Sequence, residues 1–219
     1  MPTPRRSPTA PLAAAAAHLK RADPTLGRVI RRVGPCTLEP RCEGTHFDAV
    51  LRAIVYQQLS GKAAGTILGR VHGIYGGRSP TPDELLATPE ESLRAAGLSR
   101  QKLGYVRDLA ARVASGAVPV DALDAMSDDE IVAALSGVKG VGRWTAQMFL
   151  MFRLGRLDVL PDLDLGVQKG IQLAYGLDQL PRPKEVLAIG APWAPYRSVA
   201  AWYLWRSLDN GDGQAAAPP

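Results

Sequence analysis

The sequence predicts an all-α fold, on three observations. Apolar residues recur at the helical period from Phe47 onward, three hydroxyl residues stand three positions ahead of a glutamate, and no sustained period-two alternation occurs. Phe47, Val50, Leu51, Ile54, Val55 and Gln58 fall at i, i+3, i+4, i+7, i+8 and i+11, with five of the six apolar, which is one face of an amphipathic helix. Thr81-Pro-Asp-Glu84, Thr88-Pro-Glu-Glu91 and Ser127-Asp-Asp-Glu130 each predict a helix start. In each the hydroxyl satisfies an orphan N–H while the glutamate reaches back, and Pro82 and Pro89 fall at the tolerated first helical position. A further helix over Gln101 to Ser115 places Leu103, Val106, Ala110 and Val113 on one face. Arg143 to Leu154 reads as another, and one more starts near Leu165. Only Cys36 to Glu43 reads briefly as extended chain, while residues 1–11 and 209–219, rich in Pro, Ser, Gly and Ala, are expected to be tails.

The chain has 219 residues and 46% hydrophobic content, ample for one large domain or two small ones sharing a cleft. Its charge is unevenly spread. Residues 1–41 hold eight basic residues (Arg5, Arg6, Lys20, Arg21, Arg28, Arg31, Arg32, Arg41) against Asp23 and Glu39, an excess of six, so the net +5 leaves the remainder nearly neutral. A basic segment of this kind is more often a solvated tail or helix face than a nucleic-acid contact, so bulk charge is weak evidence for such a partner. A pairing of Cys36 with Cys42 is left open by their number, yet Leu12 to Ala17 is too short and weakly apolar for a secretion signal. A reduced, cytoplasmic setting is expected. No run of about 18 apolar residues predicts a membrane span, and His18, His46 and His72 show no metal-site pattern. No cofactor and no metal are implied.

The densest information lies in residues 135–164. Gly140-Val141-Gly142 sits between apolar helix-like stretches, and glycines lacking a Cβ let backbone N–H groups approach an anion closely. The helix after it would point its N-terminal N–H groups and positive dipole end at the same anion, for which a phosphate is the natural choice. Gly137 to Gly142 also gives a G-x-x-x-x-G spacing, but Arg143-Trp144 follows where a nucleotide-binding loop needs Lys and then Ser or Thr. A plain helix-to-helix turn remains the competing reading.

Three segments together resemble a known family. Leu135-Ser-Gly-Val-Lys-Gly-Val-Gly-Arg-Trp-Thr-Ala146, with Asp164 lying 22 residues beyond Gly142, resembles the helix-hairpin-helix (HhH-GPD) DNA glycosylase superfamily, and within it the alkylated-base branch of DNA-3-methyladenine glycosylase II type. Ile54-Val-Tyr-Gln-Gln-Leu-Ser-Gly-Lys-Ala-Ala64 resembles that branch's early helix, and Pro195-Tyr-Arg-Ser-Val-Ala-Ala-Trp-Tyr-Leu-Trp205 its last one, so the likeness runs from about residue 44 to 208. The resemblance implies two helical subdomains with the active site in the cleft between them. One is discontinuous, 12–45 with 159–208; the other is a central bundle, 46–158, containing the helix-hairpin-helix at 135–154. Larger members carry an additional N-terminal mixed sheet domain, which this chain is expected to lack.

The resemblance also implies roles. Asp164, followed by Leu165-Gly166-Val167, matches the catalytic aspartate. Cleaving an N-glycosidic bond builds positive charge on the sugar, and a fixed carboxylate stabilises that charge and orients the attacking water. An aspartate of ordinary acidity, about 3.9, is ionised at neutral pH. The competing reading is that Asp164 only caps the next helix; the two roles are compatible. Trp144, Trp205, Met148 and Tyr56 match positions lining the base pocket, where an indole face attracts a cationic alkylated base by about 0.5–2 kcal/mol. Trp202, Tyr203 and Trp205 share one helix, however, and cannot all face a pocket, so a core role for Trp205 stays open. Gln58 aligns with the residue that wedges into the stack when a nucleotide is flipped, a surface glutamine being the alternative. Lys139, Gly140, Gly142, Arg143 and Thr145 match the phosphate-binding hairpin, with Lys139 where the family usually has proline, and Met148 replaces an aromatic residue of some relatives.

In branches that also cut the backbone, a lysine nucleophile occupies the second position after the last hairpin glycine; here it is Trp144, which offers no amine for a Schiff base. Two cysteines likewise cannot hold the four-cysteine iron–sulfur cluster of other branches. The expectation is a monofunctional, cofactor-free glycosylase acting as a monomer on double-stranded DNA containing damaged bases such as 3-methyladenine and 7-methylguanine. It would work in the cytoplasm, at the nucleoid if bacterial, without a membrane. The alternatives are a non-catalytic helix-hairpin-helix DNA-binding protein and a bifunctional glycosylase/lyase.

Overall fold

The computed structural model describes residues 9–41 and 43–209. Among these are twelve α-helices: α1 (Thr9–Ala22), α2 (Pro24–Val33), α3 (His46–Tyr56), α4 (Gly61–Ile74), α5 (Pro82–Ala87), α6 (Glu90–Ala95), α7 (Arg100–Ala114), α8 (Asp128–Ser136), α9 (Arg143–Phe152), α10 (Leu165–Tyr175), α11 (Pro183–Ile189) and α12 (Arg197–Ser207). Two short 3₁₀ turns, Val120–Ala125 and Ala191–Trp193, complete the regular structure, and no strand occurs among the described residues. The chain around Cys36 to Glu43 is therefore irregular; Cys42, with any pairing it makes, lies outside the described residues. So do residues 1–8 and 210–219 of the expected tails, whereas α1 already begins at Thr9.

Contacts divide the described chain into two compact units, 43–153 and 9–41 with 154–209. In the first, α3 starts with a capping box that the sequence reading passed over because aspartate stands in place of glutamate. Thr45 Oγ accepts from Asp48 N at 3.1 Å, and Asp48 Oδ2 accepts from Thr45 N at 2.7 Å. Its apolar stripe, Phe47, Val50, Leu51, Ile54 and Val55, is buried as the period predicts, and α3 packs on α4, α7 and α9. The helix stops at Tyr56, two residues short of Gln58. There Lys102 Nζ donates to the carbonyls of Val55 (2.6 Å) and Gln57 (2.7 Å), satisfying acceptors that a continuing helix would have used.

The predicted boxes Thr81–Glu84 and Ser127–Glu130 are both present and open α5 and α8. The third is not. The Thr88 hydroxyl donates to Glu84 O at 2.7 Å and pairs with the Tyr75 hydroxyl, so Thr88 closes α5 instead of opening α6, whose cap is Pro89 without a side-chain bond. The Thr88 oxygen lies against the turn behind it, and no side chain caps the N–H groups ahead. Helix α7 buries Leu103, Val106, Leu109 and Ala110, while Val113 is only half-buried. At the end of α9, Arg153 donates to Glu43 O (2.8 Å), Gly44 O (2.6 Å) and His46 Nδ1 (3.0 Å), tying the last helix of this unit to its first residues.

In the other unit α12 packs against α1, α2 and α10, with Leu19, Leu26, Ile30, Trp193 and Tyr203 fully buried. The start of α12 is pinned by two side chains. Arg197 makes a forked pair with Asp158 at 2.7 and 2.8 Å, and the buried Ser198 hydroxyl donates to Arg156 O at 2.7 Å and accepts from Val159 N at 2.9 Å. Lys20, Arg21, Arg28, Arg31 and Arg32 lie exposed on α1 and α2. Among the described residues no helix is long and apolar enough to cross a membrane.

Asp23 joins three parts of this unit. As the N-cap of α2 its Oδ1 accepts from Thr25 N (2.9 Å) and Leu26 N (3.0 Å), while Oδ2 accepts from the Tyr175 hydroxyl at the end of α10 and from Trp193 Nε1 at 2.8 Å. Burial pushes its carboxyl up, but the bonds from Tyr175, Trp193 and the two amides outweigh this and hold it below the usual carboxylate range. The folded value being depressed, the stabilisation is present above the ordinary value near 3.9 and is lost as pH falls through the folded one. Asp23→Asn, which puts a donor where two donors converge, is expected to lower stability by about 2 kcal/mol at neutral pH, with the deficit shrinking in acid. Thermal unfolding of both proteins across pH 2–7 tests this, and a deficit constant over that range would overturn it.

Candidate functional site

In the unit of residues 43–153 the hairpin between α8 and α9 is built around two buried valines. Val138 N donates to Leu135 O and Val141 N to Val138 O, each at 3.0 Å, and both valine side chains are buried while Lys139, Gly140, Gly142 and Arg143 remain exposed. The two glycines do different work. Gly140 has φ 78°, and a Cβ there would lie 2.2 Å from the Tyr105 ring, so both backbone and packing demand glycine. Gly142 is the N-cap of α9 in extended backbone, and a Cβ there would meet nothing. Packing within the unit therefore does not require glycine at this position.

Ala146 N donates to Gly142 O at 3.1 Å, so α9 begins at the second hairpin glycine and its N-terminal end lies at the exposed side of the hairpin. The Thr145 side chain is only 9% exposed, so its backbone N–H is the group this position presents at the start of α9. Lys139 N donates to Asp108 Oδ2 at 2.8 Å, and its side chain is exposed. Burial raises the Asp108 carboxyl, but the Lys139 amide and Arg112, 2.8 Å away, bring it below its ordinary value.

The candidate pocket residues of this unit differ in exposure. Trp144, second in α9, is half-buried. Met148 follows one turn later and is buried, at 5% exposure. Tyr56 ends α3 with the Arg52 guanidinium 4.0 Å from its ring centroid, a stacking partner the sequence reading missed. Gln58 is exposed and holds φ 56° without being glycine, a left-handed conformation that costs a non-glycine residue about 1 kcal/mol. It sits in the turn beyond α3, not on the helix face where its period placed it. The preceding Gln57 donates from Nε2 to Gly140 O at 2.8 Å.

In the other unit Asp164 is the N-cap of α10. Its Oδ1 accepts from Val167 N at 2.8 Å and from Trp205 Nε1 at 2.7 Å. The indole lies across Gly166, where a Cβ would stand 2.7 Å from Trp205 Cδ1 and 3.0 Å from Asp164 Oδ1, so the glycine of Leu165-Gly166-Val167 is what lets the ring reach the carboxylate. The three aromatic residues of α12 divide: Trp202 and Tyr203 are buried, Tyr203 donating to Gly34 O at 3.0 Å, while the half-buried Trp205 turns its N–H to Asp164. Asp162, at 1% exposure, belongs to the loop interior, and its carbonyl accepts from Gln168 Nε2 at 3.0 Å. Leu163 and Leu165, 50% and 52% exposed, flank Asp164 with apolar surface. A carboxylate fixed by two N–H donors between apolar shoulders can face a developing positive charge without having to reorganise.

Residues 51–195 match the family model of the HhH-GPD superfamily base excision DNA repair protein. The chain is 34% identical over 192 residues to the alkylbase DNA glycosidase-like protein mag2 of Schizosaccharomyces pombe, covering 86% of this chain and 90% of that one. It is also 34% identical over 198 residues to DNA-3-methyladenine glycosylase 1 of the same yeast, with 89% and 87% covered. Among solved structures, the DNA-3-methyladenine glycosidase of Bacillus halodurans matches with a TM-score of 0.81 at 36% identity, over 90% of this chain and 89% of that one. The S. pombe 3-methyladenine DNA glycosylase Mag1, solved in complex with abasic DNA, matches at 0.76 with 34% identity, over 88% and 95%.

The unequal glycines give a direct test of the hairpin's construction. Gly140→Ala, strained in backbone and overpacked against Tyr105, is expected to lower stability by about 2–4 kcal/mol, and Gly142→Ala by less than about 1 kcal/mol. Equal losses in denaturant unfolding would contradict this account.

Proposed function

Because the chain belongs to the helix-hairpin-helix (HhH-GPD) superfamily of base excision DNA repair proteins, we infer that it is a monofunctional DNA glycosylase that hydrolytically removes alkylated bases, of 3-methyladenine and 7-methylguanine type, from duplex DNA. The observation that carries the assignment of chemistry is Asp164, held at the start of α10 by Val167 N and Trp205 Nε1. Alkylation gives the purine a positive charge, so the base leaves with the electron pair of the N-glycosidic bond and becomes neutral. The deficit passes to C1′ of the sugar, which the Asp164 carboxylate stabilises until water adds to C1′, releases a proton and completes an abasic site. Trp205 serves as the partner that orients this carboxylate, and its ring face, like those of Trp144 and Tyr56, suits a cationic base.

Binding and flipping fall to the hairpin and the turn beside it. The α9 amides, with Lys139 and Arg143, receive a phosphate without reading sequence, and Gln58 fills the gap left by the flipped nucleotide. The proposed compartment is the cytoplasm.

Release of free methylated bases from methylated duplex DNA tests the assignment. Asp164→Asn is expected to bind duplex DNA normally and lose excision by at least ~10²- to 10³-fold, the cost of removing one electrostatic contact to the transition state, with Trp205→Phe falling between it and wild type. Undiminished release by Asp164→Asn would remove this residue from the mechanism. Since Trp144 stands where a lyase carries lysine, borohydride added during turnover is expected to trap no covalent protein–DNA adduct, and an adduct would place the protein among the bifunctional enzymes.

A further inference from the structure

Helix α7 carries three polar side chains at i, i+3 and i+6, beside its buried apolar stripe, and each holds a different part of the DNA-facing surface of its own unit. Lys102 Nζ donates to Val55 O and Gln57 O, the carbonyls on either side of Tyr56. Tyr105 lies under Gly140, its hydroxyl accepting from Gln101 Nε2 at 2.6 Å. Asp108 Oδ2 accepts from Lys139 N. Gln57 closes the circuit from the other side by donating to Gly140 O. The turn bearing Gln58 and the phosphate-binding hairpin are thereby fastened to one helix and to each other.

We propose that Lys102 is a positioning residue for base flipping, setting the turn at residues 57–59 so that Gln58 projects at a fixed distance from the hairpin that grips the backbone. The proposal rests on the reading of Gln58 as the wedge. Its physical basis is the left-handed backbone of Gln58, unusual for a non-glycine residue, within a turn closed by Leu59 N donating to Tyr56 O at 3.3 Å, a turn whose flanking carbonyls the ammonium holds. Two carbonyls on either side of Tyr56 converge on one ammonium, and that fixes where the turn begins. Removing the ammonium lets both carbonyls turn to water and frees the turn to relax, whereas a guanidinium at the same place can still donate to both. Burial also holds the Lys102 ammonium below its ordinary value, in keeping with a side chain enclosed by its acceptors.

Flipping costs a few kcal/mol from a paired duplex and least where the base is already unpaired. A residue that acts through the wedge therefore affects one substrate and spares the other, which a loss of folding would not do. The probe is a 7-methylguanine placed once in a fully paired duplex and once inside an unpaired bubble of the same sequence, with single-turnover release measured for wild type, Lys102→Met, Lys102→Arg, Gln58→Ala and the Lys102→Met/Gln58→Ala double variant. Lys102→Met is expected to slow release from the paired duplex about tenfold or more and from the bubble less than about threefold, with Lys102→Arg recovering most of the loss and the double variant no slower than Gln58→Ala. Equal slowing on both substrates, or additive losses in the double variant, would overturn the positioning role. Unchanged release by Gln58→Ala would overturn the wedge and the proposal with it. Absence of release by wild type from either substrate is a different failure, that of the glycosylase reading itself. In each variant, fluorescence of 2-aminopurine next to a tetrahydrofuran abasic analogue reports unstacking without excision, and an unaltered signal in Lys102→Met would likewise sink the proposal.

Discussion

Helix ends leave amides and carbonyls without partners, and how this chain satisfies them is the constraint from which its working parts follow. The start of α10 is closed by Asp164, the end of α3 by Lys102 and the start of α2 by Asp23. In each case the group that closes the helix also makes a contact far away in sequence: Asp164 with Trp205, Lys102 with the turn after α3, Asp23 with Tyr175 and Trp193. A short helix whose end is fixed by a neighbour places its terminal side chain accurately. That accuracy is what an electrostatic catalyst needs, because a carboxylate that must first reorient has already lost much of its advantage.

How much of this was legible in the sequence depended on range. The stripe of α3 and the boxes of α5 and α8 are local patterns, and they are found where the sequence predicts them. Thr88 misled for an equally local reason, since the spacing ahead of it is right but its hydroxyl faces backward to Glu84. Gln58 continued the helical period on paper, and only the two carbonyls held by a lysine 45 and 47 positions away reveal that the helix has ended.

Asp164 and the hairpin were singled out because their glycines and spacing form a pattern in one stretch of chain. Their supports were not. The bond from Trp205 spans 41 residues, and the α7 side chains that hold the hairpin are ordinary polar positions until the fold brings them under it. Gly140 shows the intermediate case, in which the residue was read correctly but half of its reason, the Tyr105 ring, lies outside the motif.

The contact between Asp23 and Trp193 spans 170 residues, and it sets a schedule for synthesis. Helices α1 and α2 emerge from the ribosome first, with Leu26, Val29 and Ile30 turned toward partners on α10 and α12 that do not yet exist. At roughly 5–20 residues per second those partners follow after about 10–30 seconds, during which the unit of residues 43–153 can complete its own core. Helices α1 and α2 can pack on each other at once, but the part of α2 that meets α10 and α12 stays uncovered until those helices are made.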